Sequence, residues 1–559
     1  MAMQVNNPVP VPKGTPEHEA KRASVLKAIS DKVPADFCLG PEFFKDTPLD
    51  VTKVPSTCGL LTDEEVSITE DYDATGLAEV IARRKYTSVV VARAFCKRAI
   101  IAHQLTCCLT QWFYDEAIQQ ATKLDEYLAE HGTTIGPLHG VPVSIKDHIP
   151  LAGTFASLGI LATAEYDQRD SPLPAVLRQA GAVFYCKTNQ PQALMHGESD
   201  SPWGRALNPY NTTLTSGGSS GGEGALIAIK GSVLGIGTDI GGSIRIPSAF
   251  NGIYGYKPTS GILSTRDLVH GPMVAELTVL ANAGPMCRSA RDMDLFMRIQ
   301  LATKPHIRDL TLVPTTWTGL STQLGLTLGR PLKVGIMRHD GFIQPQPPLK
   351  RALSWAGTVL SDSRLSGLIE VKPFLPYGVK QAWDEIRQAY SPDGGIPSHN
   401  AILATGEPIY PLTEWIWKTA APKGMLTAAE MAYVRKACLD FRHSFAEDWE
   451  RQDVDVILCP TGVGPATTHD TNFYLMYTAL WNYLDCPGLV FPTGLKVEEG
   501  EEYDADYKPL GPECAHVKDL WENGNFKGAP ISLQLVGRRY HDNQLFGALK
   551  LLQEALGLQ

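Results

Sequence analysis

The chain has 559 residues, 43% hydrophobic and 20% charged, a balance that places it with soluble globular proteins and excludes a disordered or fibrous chain. Its 50 basic and 60 acidic residues leave a formal charge of −10, which provides no basic footprint for a nucleic-acid backbone. Eleven cysteines, an odd number scattered from Cys38 to Cys514 with no Cys-x-x-Cys pair, argue against a disulfide framework and for a reducing compartment.

The N-terminus "MAMQVNNPVPVPKGTPEHEAKR" lacks the apolar segment of a secretory signal, and no window reaches ~18 uninterrupted apolar residues. A cytoplasmic protein without a membrane span is expected. Residues 1–60 predict a helical arm ahead of one large domain over 61–559. Periodic apolar positions predict helices over 74–84, 87–105 and 116–131. In the last, Ala117, Ala121, Leu124 and Leu128 share a face, Asp115 is placed to cap the start, and Gly132 to stop the helix. Cys107 and Cys108 are expected as small buried hydrophobes on a helix. Short apolar runs at 140–145, 182–187, 233–237, 333–337, 454–458, 488–491 and 531–536 predict strands, and helical stretches such as 172–180 and 542–556 separate most of them. This alternation predicts an α/β fold: a mixed, mostly parallel twisted sheet covered by helices on both faces.

Between about 295 and 450 the sequence is rich in Trp, Pro and helix formers, with a proline-rich break "QPQPPL" at 344–349; this region is expected to shape the substrate pocket. Within it, Trp415 and Trp417 of "PLTEWIWK" read as core packing or as pocket wall. The acidic stretch "EEGEEYDADY" (498–507) predicts a solvated loop or hairpin.

Two glycine-serine stretches carry the chemistry. "TSGGSSGGEGALIAI" (215–229) has the composition of a flexible linker, but an apolar run suited to a buried helix follows it at once. "TDIGGSIR" (238–245) leaves a buried strand and exposes consecutive backbone N–H groups around Ser243. Such groups bind anions, and in acyl transfer they stabilise the oxyanion of a tetrahedral intermediate. The residues alone fit either a nucleophilic serine or an N-capping serine on a tight strand-to-helix connection. A serine hydroxyl needs a base. None of the 14 histidines stands in an evidently special context, whereas "LHGVPVSIKDHIPLAG" (138–153) places Lys146 at the end of an apolar strand. A desolvated lysine loses its charge more readily and can accept a proton, and a lysine snorkelling to the surface fits the same position.

"GPLHGVPVSIKD", the 215–250 stretch and "GYKPT" together resemble the amidase signature family, within it the fungal acetamidases and the fatty acid amide hydrolases. The likeness is dense over 136–260 and continues more weakly through "DVILCPTG" (455–462) and "GAPISLQLVGRR" (528–539). It implies amide hydrolysis through a serine acyl-enzyme, with Ser243 as nucleophile, Ser219 bridging the proton transfer after a cis peptide bond from Gly218, and Lys146 as base. It further implies that the Ile240, Gly241, Gly242 and Ser243 turn holds the oxyanion, that Asp239 and Arg245 shape that turn, and that Ser220 makes hydrogen bonds near the lysine. Leu194 and Met195 are expected to line the acyl pocket. The chemistry requires no cofactor and no metal ion, and a homodimer is the family-level expectation. A long lipid amide is the less favoured substrate because the membrane-spanning N-terminal segment of fatty acid amide hydrolase has no counterpart here.

Other readings remain at this level. Gly217 to Gly221 satisfies G-x-S-x-G, the nucleophile elbow of an α/β-hydrolase-type esterase, although the polar "NPYNTTLT" before it is a poor buried strand. An amidotransferase-type subunit acting with partner chains would carry the same blocks, and so would a scaffold protein without catalysis. A phosphate-binding loop is disfavoured, since no Gly-Lys-Ser/Thr follows the glycines.

Overall fold

A computed structural model describes residues 3–268, 276–420 and 424–558. Eleven strands form its main sheet: β1 (Leu109–Trp112), β2 (Pro142–Lys146), β3 (Val183–Thr188), β4 (Leu234–Asp239), β5 (Tyr254–Lys257), β6 (Asn282–Cys287), β7 (Leu332–Ile336), β8 (Ile369–Pro373), β9 (Val456–Cys459), β10 (Gly488–Lys496) and β11 (Pro530–Val536). Their order is β1-β3-β2-β4-β6-β5-β10-β11-β9-β7-β8. The sheet is mixed, as expected, and its parallel pairings occur in two blocks, β3-β2-β4 and β9-β7-β8. An antiparallel ladder from β4 through β6, β5, β10 and β11 to β9 joins the two blocks, and β1 closes one edge antiparallel to β3.

All seven expected strands are present. Four more were not legible: β1, β5, β6 and β8. Two of them hide for a physical reason. β6 reads "NAGPMC", and a proline within a run argues against a central strand because it has no N–H to give the ladder. β8 is an edge strand with only Ile369 fully buried, so it lacks an apolar run. β2, β3 and β4 are buried along their whole length, as strands covered on both faces must be. The helix Ser88–Thr106 packs across β1, β2 and β3, and Gly221–Ala228 packs on β2, β3, β4 and β6.

The helix Tyr114–His131 buries the four predicted positions and ends on Gly132 in the left-handed conformation (φ 71°). Asp115 is not its cap: the helix starts two residues earlier than expected, at Tyr114, Phe113 occupies the cap position, and Asp115 and Glu116 lie in the first turn, where the helix dipole favours acids. Cys107 and Cys108 are buried but not helical, since Cys107 ends the helix Ser88–Thr106 with φ 53°. All eleven cysteines are unpaired. The acidic 498–507 stretch is a loop, clamped to the body where Arg351 Nε donates to Glu501 at 2.7 Å. Among the described residues no helix is long and apolar enough to cross a membrane.

Candidate active site

β2 and β4 run parallel and adjacent, so their carboxyl ends, Lys146 and Asp239, open on the same crevice. Crevices at the carboxyl ends of parallel strands are where α/β sheets place their ligands, because the loops leaving those ends are free to diverge. Three segments meet there: the turn after β2, the serine-glycine loop before the helix Gly221–Ala228, and the turn after β4.

Lys146 has no solvent exposure, and its Nζ lies 2.5 Å from Ser219 Oγ and 3.0 Å from Thr238 Oγ1. Burial pulls its pKa down to about 7, against the opposing negative fields of Asp239 and Glu223. Loss of hydration disfavours the ammonium, which brings the neutral amine within reach near neutral pH. The snorkelling alternative is thereby removed. Glu223, one turn into the helix Gly221–Ala228, accepts from Ser144 Oγ (2.6 Å) and Thr188 Oγ1 (3.0 Å), and burial pushes its carboxyl up to about 7.

The loop 215–220 is no linker. Asn251 Nδ2 donates to Ser216 O (2.7 Å), Ser199 Oγ to Gly217 O (3.0 Å), and Gly217 N–H to Thr215 Oγ1 (3.0 Å). The peptide Gly218–Ser219 is cis. Gly218 is packed so closely on the 196–198 backbone that a Cβ there would meet Glu198 N and His196 O at 2.6 Å, so only glycine fits. Ser219 is 2% exposed. Ser220 occupies the cap position of the helix and ties the two serine segments together: its N–H donates to Ser243 O (3.1 Å), and its hydroxyl lies 3.4 Å from both N and O of Thr238. Thr238 also meets the lysine amine, so Ser220 lies one residue removed from it.

Asp239 organises the turn after β4. Its carboxylate accepts from the N–H groups of Gly242 (2.8 Å) and Ile244 (3.1 Å), from Arg245 Nε (3.0 Å) and from Asn482 Nδ2 (3.0 Å). Burial works to raise this carboxyl, but the fully buried Arg245 guanidinium, Lys257 and the hydrogen bonds outweigh it and hold it well below the usual carboxylate range. Arg245 is itself fixed by Gln534 Oε1 (2.8 Å) and Asn482 Oδ1 (2.5 Å). Carbonyls of the turn are turned outward and taken: Tyr390 O–H donates to Ile240 O (2.7 Å), and Thr478 Oγ1 to Gly241 O (2.8 Å). Of the four N–H groups read from the sequence as oxyanion donors, that of Gly242 is engaged by Asp239, whereas those of Ile240, Gly241 and Ser243 have no acceptor among the described residues. Gly242 has φ 129°, a conformation closed to side-chain-bearing residues.

Ser219, Thr238, Asp239, Ile240 and Ser243 line one small cavity of about 70 Å³ with His148, Leu158, Ala193, Leu194 and Met195. Leu194 and Met195 were read there from the sequence; Thr238, His148 and Glu276, which also line the cavity, and Glu223 behind the lysine were not. His148 follows Lys146 by two residues, yet its place in the pocket is set by a contact across the sheet, Nε2 to Thr238 Oγ1 at 2.9 Å. From the 295–450 region, Ser398 reaches the rim and Tyr390 the oxyanion turn. Trp417 packs in the apolar cluster of Leu158, Ile402 and Leu194 beside the cavity, while Trp415 meets Trp383 and Phe473 in tilted ring contacts. No strand leads directly into the Gly217–Gly221 run: the segment before it carries only the two-residue strands Asp200–Ser201 and Gly204–Arg205 and isolated bridges at Leu207, Leu214 and Thr215, so the esterase elbow is absent.

The family model described as Amidase matches residues 90–546. A Schizosaccharomyces pombe protein provisionally designated amidase C550.07 is 44% identical over 90% of this chain and 93% of its own length. An acetamidase of Emericella nidulans is 33% identical over 96% and 97% of the two chains. The solved structure of a fatty acid amide hydrolase superposes with a TM-score of 0.89 at 33% identity, covering 97% of this chain and 95% of that one. With Ser219 and Ser243 lining one cavity, the buried lysine hydrogen-bonded to Ser219 behind it and the glycine-built turn at its wall, and with family-level likeness over nearly the whole length, the chain belongs to the amidase family of amide-bond hydrolases.

Proposed function

We propose that Lys146, Ser219 and Ser243 form the relay that cleaves the amide in this chain. Neutral Lys146 accepts the Ser219 proton while Ser219 accepts that of Ser243, whose oxygen adds to the amide carbonyl. The N–H groups of Ile240, Gly241 and Ser243 receive the oxyanion. The proton on Lys146 returns through Ser219 to the leaving nitrogen, which departs as amine or ammonia. Water deprotonated by the same route then attacks the acyl-Ser243 ester and releases the acid. The observation that carries this reading is the fully buried Lys146 amine 2.5 Å from Ser219 Oγ, with Ser219 and Ser243 lining the same cavity.

The lining by Leu158, Ala193, Leu194, Met195 and Ile240 supports a compact, largely apolar acyl group, since about 70 Å³ admits roughly five water-sized probes. Eleven unpaired thiols support a reducing compartment such as the cytoplasm. Purified single chains are expected to turn over short aliphatic or small aromatic amides faster than long-chain ones, with Ser243→Ala as the blank. Equal turnover by the blank removes Ser243 from the mechanism, and preference for long acyl chains overturns the substrate assignment.

Glu223 tunes the base. Its negative field favours the ammonium of Lys146, so Glu223→Gln is expected to lower the lysine pKa and to move the rise of kcat/KM to lower pH by a few tenths of a unit. A pH–rate series compared with wild type reads the displacement; a shift to higher pH contradicts the account.

A further inference from the structure

Thr238 Oγ1 stands between two nitrogens, Lys146 Nζ at 3.0 Å and His148 Nε2 at 2.9 Å, and the amine continues to Ser219 Oγ at 2.5 Å. All four side chains are at least 94% buried, with exposures of 0%, 2%, 4% and 6% for Lys146, Ser219, His148 and Thr238, so water competes little for these bonds.

We propose that His148 is a positioning residue that sets the direction of the Thr238 hydroxyl and thereby keeps the Lys146 lone pair turned toward Ser219. The inference rests on Lys146 being the base. Proton counting decides the arrangement. A neutral amine has two N–H groups and one lone pair, and the relay requires Ser219 to donate into that lone pair. One amine N–H then donates to Thr238 Oγ1, and the single Thr238 proton goes to His148 Nε2, which accepts. With the opposite ring tautomer, Nε2–H donates to Thr238, whose own proton is then free to turn to the lysine lone pair and compete with Ser219 for it. When Lys146 becomes an ammonium, its bond to Thr238 becomes charge-assisted and strengthens, and the bond from Thr238 to His148 strengthens with it. His148 therefore favours the protonated lysine that exists between proton uptake and return.

The charged and titratable groups acting on the amine are Asp239 on β4, Glu223 on the helix Gly221–Ala228 and His148 in the turn after β2, and Glu276 lines the same cavity as His148 and Thr238. Lys187 on β3 is directed elsewhere, donating to Phe155 O at 2.6 Å, with Asp167 at 3.6 Å. The His148 backbone is held by Gln190 Oε1, which accepts its N–H at 3.2 Å, so the turn has an anchor independent of the ring.

The test is the pH profile of amide hydrolysis for His148→Ala, His148→Gln, Thr238→Val and the double variant H148A/T238V, with Lys146→Ala as control. His148→Ala frees the Thr238 proton to bond the amine lone pair, which favours the neutral lysine and weakens the base. The expected result is a kcat about tenfold lower, an acid limb of kcat/KM displaced to lower pH, and KM changed little. Glutamine, whose amide oxygen accepts from Thr238, restores most of the rate and the limb. Thr238→Val lowers kcat similarly, and adding His148→Ala to it costs nothing further, because the histidine acts only through the hydroxyl. An unmoved limb in both His148→Ala and Thr238→Val, glutamine no better than alanine, or additive losses in the double variant overturns the proposal. If His148→Ala does not fold, Thr238→Val against wild type decides, with an unmoved limb again overturning it. A Lys146→Ala enzyme that retains activity overturns the base assignment itself, which separates that failure from this one.

Discussion

Lys146→Ala is expected to lower kcat by roughly 10³-fold or more while leaving KM within a few-fold of wild type, because it removes a proton acceptor that acts in the transition state. Ser219→Ala is expected to cost a comparable factor, and the double variant little more than the worse single one. A relay fails as a unit once any member is gone, as groups that act together are not additive. The wild-type kcat/KM should rise with pH through about 7, the value to which burial brings the Lys146 amine, and then level off as the neutral form becomes complete. Steady-state kinetics on the three variants at pH 8 checks the magnitudes, and additive losses in the double variant contradict a shared path.

The same buried amine leaves a signature in stability. Its pKa falls from an ordinary 10.5 to about 7 on folding, so between those values the unfolded chain binds the extra proton. The lysine's contribution to stability therefore rises as pH climbs from 7 to 10.5, and it is constant outside that window. Lys146→Met removes this dependence. The variant's stability gain over wild type is expected to be greatest near pH 7 and to shrink toward pH 10, as read by chemical unfolding of both proteins across that range.

The second large effect lies behind the oxyanion turn. Arg245→Leu leaves the Asp239 carboxylate fully buried and without its guanidinium partner, which is expected to cost about 3–5 kcal/mol of stability. Asp239 also accepts from Gly242 and Ile244 N–H, so its displacement loosens the turn that presents Ile240, Gly241 and Ser243. Activity should fall further than the folded fraction. The double variant R245L/D239N removes both charges and is expected to unfold at higher denaturant than Arg245→Leu alone, though without recovering activity, because the N–H groups of the turn lose their carboxylate. A single variant as stable as wild type overturns the ion pair's role.

The serine and lysine positions were legible because they lie in contiguous blocks whose glycines and apolar runs constrain the backbone locally. Gly218 and Gly242 illustrate why: one is wedged against the 196–198 backbone, the other sits at φ 129°, and each requires glycine at a fixed distance from a serine. Thr238 and Glu223 lacked any local mark. Thr238 meets Lys146 only because β4 lies beside β2, 92 residues away along the chain, and Glu223 meets Ser144 over 79 residues. His148 stands next to the lysine block, yet its chemistry depends on that same cross-strand contact with Thr238. Among the strands, apolar runs were found and β6 was not, because Pro285 interrupts a segment held in the sheet by six residues of register with β4. The Gly242 N–H, read as a free donor, is taken by Asp239, a bond that depends on how the turn folds back on the end of β4.

The rate and site of covalent capture test the serine–lysine relay most directly. A serine-directed phosphonate probe, followed by peptide mass spectrometry, is predicted to modify Ser243 alone. The modification rate should climb with pH through about 7 in wild type and fall at least a hundredfold in Lys146→Ala and Ser219→Ala. An adduct on Ser219, or a Lys146→Ala enzyme captured at the wild-type rate, would contradict it.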